Sequence, residues 1–162
     1  MANIIMLYEG DFSSPPGRFA IVAARFNGVV VEQLTAGAID ALRRHGVGEE
    51  RIDVVRVPGS FEIPLVAQKL GQSGHYAAVI CLGCIIRGDT DHYDHVASAA
   101  TSGIAQAALH SGIPVIFGVL TCETLEQAFH RAGAKAGNKG AEAALTAIEM
   151  VNLLARLHRL SG

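Results

Sequence analysis

The chain has 162 residues, half of them apolar and 17% charged, a balance that excludes a disordered polymer and fits one domain with a buried core. Its formal charge of −2 gives no basic face for nucleic acid, and no apolar run reaches the ~18–20 residues of a membrane span. The start, MANIIMLYEGDFSSPPG, lacks the basic segment of a secretory leader, and three cysteines, an odd number, fit a reducing compartment, so a cytoplasmic protein is expected.

The elements follow in chain order. Residues 3–8, NIIMLY, form an apolar strand-like piece outside the later alternation; it could pair with a neighbouring subunit's sheet edge or cover its own. Residues 1–17 are thus read as an N-terminal arm, and 18–162 as one α/β domain. After the Pro-rich hinge Ser13 to Gly17, the run FAIVAA predicts a buried strand. GVVVEQLTAGAIDALRRHG then carries Val30, Leu34, Ala38 and Leu42 at helical spacing, with Gly46 as its stop. IDVVRVPG is the second strand, and EIPLVAQKLGQSG a helix with Pro64 in its first turn. The third strand, YAAVICLG, leads into the helix YDHVASAATSGIAQAALHSG, and the fourth, IPVIFGVLT, into TLEQAFHRAG. The last helix, GAEAALTAIEMVNLLARLH, carries Leu145, Ile148 and Val151 on one stripe.

Four continuous apolar strands alternating with helices predict a parallel sheet covered on both faces, a flavodoxin-like three-layer αβα sandwich. Ligands of such folds collect at the carboxyl ends of the strands. The polar residues gather there too: Arg25-Phe26-Asn27 after the first strand, Ser60-Phe61-Glu62 after the second, and Thr121-Cys122-Glu123 at the fourth. Polar loops are ordinary, but Phe26 and Phe61 standing among polar neighbours at these ends are not.

The third strand leads into IRGDTDHYDHV, residues 86–96, which invites both a metal and a phosphate reading. An EF-hand loop starting at Asp89 would need Gly and Glu where Asp94 and Ala100 stand, and His92 and His95 are three apart rather than four. An anion site is better served: Gly88 allows a close turn, Thr90 offers a hydroxyl, and a helix starting near Asp91 directs its positive end there. Asp89 must then turn its carboxylate aside or cap the helix. Arg131, Lys135 and Lys139 are available cations. His92, one turn away, can relay protons near neutral pH, whereas His45, His75, His110 and His158 read as structural. Cys81 and Cys84 form a CxxC inside an apolar run with no second pair, so they read as packing residues. GAKAGNKG lacks the Gly and hydroxyl of a phosphate-binding P-loop, and no GxGxxG follows a strand.

Taken together, ARFN, VPGSFEIP, GCIIRGDTDHYDHV, IPVIFGVLT and FHRAGAKAGNKGAEAALTAIEMVNLL closely resemble the lumazine synthase family. The resemblance implies condensation of 5-amino-6-ribitylaminouracil with 3,4-dihydroxy-2-butanone 4-phosphate. The products would be 6,7-dimethyl-8-ribityllumazine, phosphate and water, in the penultimate step of riboflavin biosynthesis. No metal or organic cofactor is implied. Phe26 would stack on the pyrimidine, with Asn27 beside it, and Ser60, Phe61 and Glu62 would hold the ribityl chain and ring edge. Cys84, Ile85 and Ile86 would offer backbone groups, Asp89 and Thr90 would grip the phosphate, and His92 would shuttle protons. Phe117, Arg131 and Lys139 would come from a neighbouring subunit. The resemblance further implies pentamers, which AGNKGAE makes similar to the members that close into 60-subunit icosahedral shells, and an association with riboflavin synthase. Asp89, Cys122 and Ala134 depart from the family's usual residues. The competing expectation is a riboflavin-binding or storage shell of the same fold without turnover.

Overall fold

The computed structural model describes residues 4–88, 92–134 and 137–160, and builds them around a four-stranded parallel sheet in the order β2-β1-β3-β4. The strands are β1 (Phe19–Ala24), β2 (Ile52–Val57), β3 (Ala78–Ile86) and β4 (Val115–Cys122). All six residues of β1 are buried, which follows from helices covering both sides of the sheet. Side chains alternate across a strand. Phe19, Ile21 and Ala23 therefore enter the layer with α1 (Gly28–Arg44) and α5 (Lys139–His158), which α4 (Leu125–Arg131) joins. Ala20, Val22 and Ala24 enter the opposite layer, with α2 (Ile63–Gln72) and α3 (His92–Ser111). The expected flavodoxin-like α/β sandwich is what forms. Among the described residues, no helix is long and apolar enough to cross a membrane.

Local chemistry sets the boundaries. Helix α1 ends where Gly46 takes φ +88°. There Val47 N–H donates to the Leu42 carbonyl at 3.0 Å and Gly46 N–H to that of Arg43 at 3.1 Å, a Schellman stop. Pro64 lies in the first turn of α2, where its missing N–H costs nothing. At the start of α5, Asn138 Oδ1 accepts from Ala141 N–H at 3.0 Å, while its amide donates to the Gln33 and Ala132 carbonyls at 3.0 and 3.1 Å. The glycine-rich stretch before α5 is thus partly a helix cap. Gly140 lets the helix close on α1, because a Cβ there would fall 1.9 Å from the Leu34 carbonyl oxygen.

One boundary differs from the sequence reading. β3 continues beyond Gly83, with Cys84, Ile85 and Ile86 in register with Leu120, Thr121 and Cys122. Gly83 does not end the strand. It makes room beside it, since an added Cβ would lie 2.5 Å from Ser60 Oγ.

The segment before the domain divides in two. Its root is tied down: Asn152 donates to the carbonyls of Asp11 at 2.9 Å and Ser13 at 3.0 Å, and Arg156 bonds the Glu9 carbonyl and the Asp11 carboxylate. Ahead of this clamp, Ile4, Ile5, Met6 and Leu7 are exposed, Ile5 to 90%. None of residues 4–8 pairs as a strand within this chain. Among the described residues, this apolar run does not extend a sheet of its own chain.

Candidate active site

At the carboxyl end of β1 the ladder with β2 runs on, Arg25 N–H donating to the Val57 carbonyl at 2.8 Å and Phe26 N–H to that of Pro58 at 3.0 Å. These bonds hold Phe26 beside the turn that carries Ser60, Phe61 and Glu62. Ser60 is buried against β3 through the space that Gly83 leaves, whereas Phe26 and Phe61 remain 71% and 61% exposed. Two aromatic rings held open to solvent at one sheet end are a platform for a flat, partly apolar ligand.

A cleft of about 540 Å³ lies here, lined by Phe26, Pro58, Gly59, Ser60, Phe61, Glu62, His92 and Val96. A narrower pocket of about 140 Å³ shares Phe26, Ser60, His92 and Val96, and adds Asn27, Cys84, Ile85, Ile86, Gly88 and Tyr93. Residues read from three separate strand ends and from the start of α3 therefore share one contiguous surface. Tyr93 and Val96 were not anticipated as part of it. Val96 had a signal, since it stands four residues after His92 and so on the same helical face.

Asn27 lines the narrower pocket and also has a structural part. It is the one non-glycine residue at positive φ among those described, at 59°, and its amide donates to the Cys84 carbonyl at 2.8 Å. Its side chain braces the end of β1 against β3, within the pocket wall.

Phe117, Arg131 and Lys139 do not join this cleft. They line a second one of about 580 Å³, with Thr121, Glu142 and Thr146, that shares no residue with the first. There Arg131 Nη1 lies 3.6 Å from Cys122 Sγ, and Lys139 Nζ 3.3 Å from Glu142. Asp89 and Thr90, expected to grip an anion, lie outside the described residues, as does Lys135. No three His, Cys, Asp or Glu side chains converge as a metal site among the described residues.

The CxxC resolves into packing. Cys81 belongs to the α2/α3 layer and Cys84 to the α1/α5 layer, because residues three apart on a strand face opposite ways. Burial pushes both thiols up to about 12, with Cys122 adding to the effect at Cys84. They are neither a redox pair nor thiolate ligands. His45 and His110 are accounted for as well, through the Ala41 carbonyl at 2.7 Å and Gln68 at 3.3 Å.

A family model described as 6,7-dimethyl-8-ribityllumazine synthase matches residues 16–155, most of the chain. The chain belongs to the lumazine synthase family. Lumazine synthases act on small molecules in riboflavin biosynthesis and work as oligomers. Their family match takes in both clefts and the α3 start, and leaves residues 1–15 outside it.

Proposed function

We propose that this chain condenses 5-amino-6-ribitylaminouracil with 3,4-dihydroxy-2-butanone 4-phosphate to give 6,7-dimethyl-8-ribityllumazine, phosphate and water. The observation that carries the reading is the single surface formed by Phe26, Ser60, Phe61, Glu62 and His92 at the strand ends. Phe26 stacks on the pyrimidine. Ser60, Phe61 and Glu62 hold the ribityl chain, with Glu62 accepting from its hydroxyls. The Cys84 to Ile86 backbone meets the ring edge, and Asp89 and Thr90 meet the phosphate. Asn27 serves the site by bracing it.

The chemistry asks for juxtaposition and proton movement. The amine attacks the ketone and one water leaves as the imine forms; phosphate is then eliminated, and attack of the ribitylamino nitrogen on the remaining carbonyl closes the ring with loss of a second water. Holding two substrates together can supply several kcal/mol of the barrier, up to about 7–11 in ideal geometry. His92 takes and returns protons during imine formation and elimination, a contribution of ~10²–10⁴-fold.

Phe117, Arg131 and Lys139 serve a second copy. A neighbour's 580 Å³ cleft set against the Phe26 cleft brings its guanidinium to the butanone phosphate as a bidentate, charge-assisted partner. The assembly is a pentamer, with closure into a larger shell as its extension. The arm, residues 1–17, lays its exposed Ile4 to Leu7 along a neighbouring sheet edge, which gives that apolar run a cover.

The test is direct. Purified chain mixed with both substrates should develop lumazine fluorescence and release phosphate. Quenching of riboflavin fluorescence with no product would replace this reading with that of a binding shell.

A further inference from the structure

Arg87 stands one residue beyond β3 and is used by no step above. Its backbone N–H donates to the Cys122 carbonyl at 2.9 Å, adding one rung to the β3–β4 ladder. Its side chain gathers three partners from two elements. Nε lies 3.2 Å from Glu123 at the end of β4, and Nη2 lies 3.6 Å from Asp94 in the first turn of α3. The guanidinium carbon sits 4.7 Å from the centre of the Tyr93 ring. Tyr93 in turn lines the pocket with Phe26 and His92.

Each contact alone is weak, since the ion pairs are half-exposed and open to screening by salt. Their convergence on one planar group matters more than their individual strengths. The first turn of a helix is the part least held by its own hydrogen bonds. In α3 that turn carries His92, Tyr93 and Asp94. A guanidinium can stack on a ring while its edge forks toward two carboxylates; an ammonium offers no such plane.

We propose that Arg87 is a positioning residue, locking the first turn of α3 to the end of β4 and thereby fixing the His92 imidazole over the pocket. The kinetic part of this inference rests on the function proposed above; the structural part stands apart from it. The test compares wild type with Arg87→Met, which keeps the stem and loses the charge, Arg87→Lys, which keeps the charge and loses the plane, and Tyr93→Leu.

Hydrogen exchange should show faster deuterium uptake in residues 92–97 of Arg87→Met and of Tyr93→Leu, less change in Arg87→Lys, and none in α5. In steady state, kcat of Arg87→Met should fall about tenfold with KM for the pyrimidine nearly unchanged, and Arg87→Lys should recover part of the loss. Unchanged exchange in Arg87→Met would overturn the proposal. So would a loss confined to KM for the phosphate substrate, which would make Arg87 a direct ligand. A wild-type chain that forms no lumazine would defeat the functional reading, while exchange would still decide whether Arg87 holds the helix start.

Discussion

At Asn27 one side chain meets two demands. The backbone needs a residue that tolerates the left-handed region, and the Cys84 carbonyl needs a donor. Asn27→Ala fails both and should cost about 2–3 kcal/mol in urea unfolding, whereas Asn27→Gly keeps the backbone and should cost roughly half as much. An equal loss in the two variants would mean that the hydrogen bond dominates. His92 and Arg131 divide the chemistry differently. His92→Ala should lower kcat by ~10²–10⁴-fold without abolishing product, because juxtaposition of the substrates survives. Arg131→Ala should be harsher in kcat/KM, since it removes the cation that anchors the phosphate. Steady-state kinetics returning the opposite ranking would reassign the two roles.

Among the elements, the amino end of the sheet carries a network whose charge states set a pH window. Arg18 donates to Asp53 at 2.8 and 3.0 Å, and Tyr76 donates to the same carboxylate at 2.7 Å. These bonds, Arg18 first, hold the Asp53 carboxyl below its usual 3.8, while burial and the Asp53 contact push the Tyr76 phenol above 10.0. A lowered acid contributes stability above its unfolded value and loses it as pH falls through the folded one. A raised phenol contributes below its unfolded value and loses it as pH rises through the folded one. Stability from this network should therefore hold between about pH 4 and 10 and fall away outside. Asp53→Asn should flatten the acid limb of a pH-dependent melting series. The same elements separate what the sequence disclosed from what it did not. β1 and β3 were legible because burial on both faces leaves an unbroken apolar run, as in Phe19 to Ala24, and the α1 stop was legible because Gly46 has a conformational reason to be there. Gly83 was misleading: glycine marks a strand end in one context and a close approach in another, and only Ser60, distant in sequence, decides which. The bracing part of Asn27 was not legible, because a polar side chain at a strand end gives no sign of which distant carbonyl it meets. Tyr93 gave no signal, since residue types alone do not disclose that its ring meets the Arg87 guanidinium.

For the whole molecule, the consequential facts are an apolar arm without cover and two clefts that share no residue. The clamp of Asn152 and Arg156 on Asp11 fixes where the arm leaves the domain, and Ile4 to Leu7 beyond it are exposed. Deleting residues 1–8 should leave the domain folded by circular dichroism but weaken assembly, seen as smaller species in sedimentation velocity. An unchanged sedimentation profile would show that the arm is dispensable for association. The separation of Arg131 from His92 has a genetic consequence. If each reaction centre borrows one half from each of two chains, a population carrying only Arg131→Ala and another carrying only His92→Ala are each crippled at every centre. Dissociated and reassembled together, they should regain activity that neither shows alone, because some centres then receive an intact half from each parent.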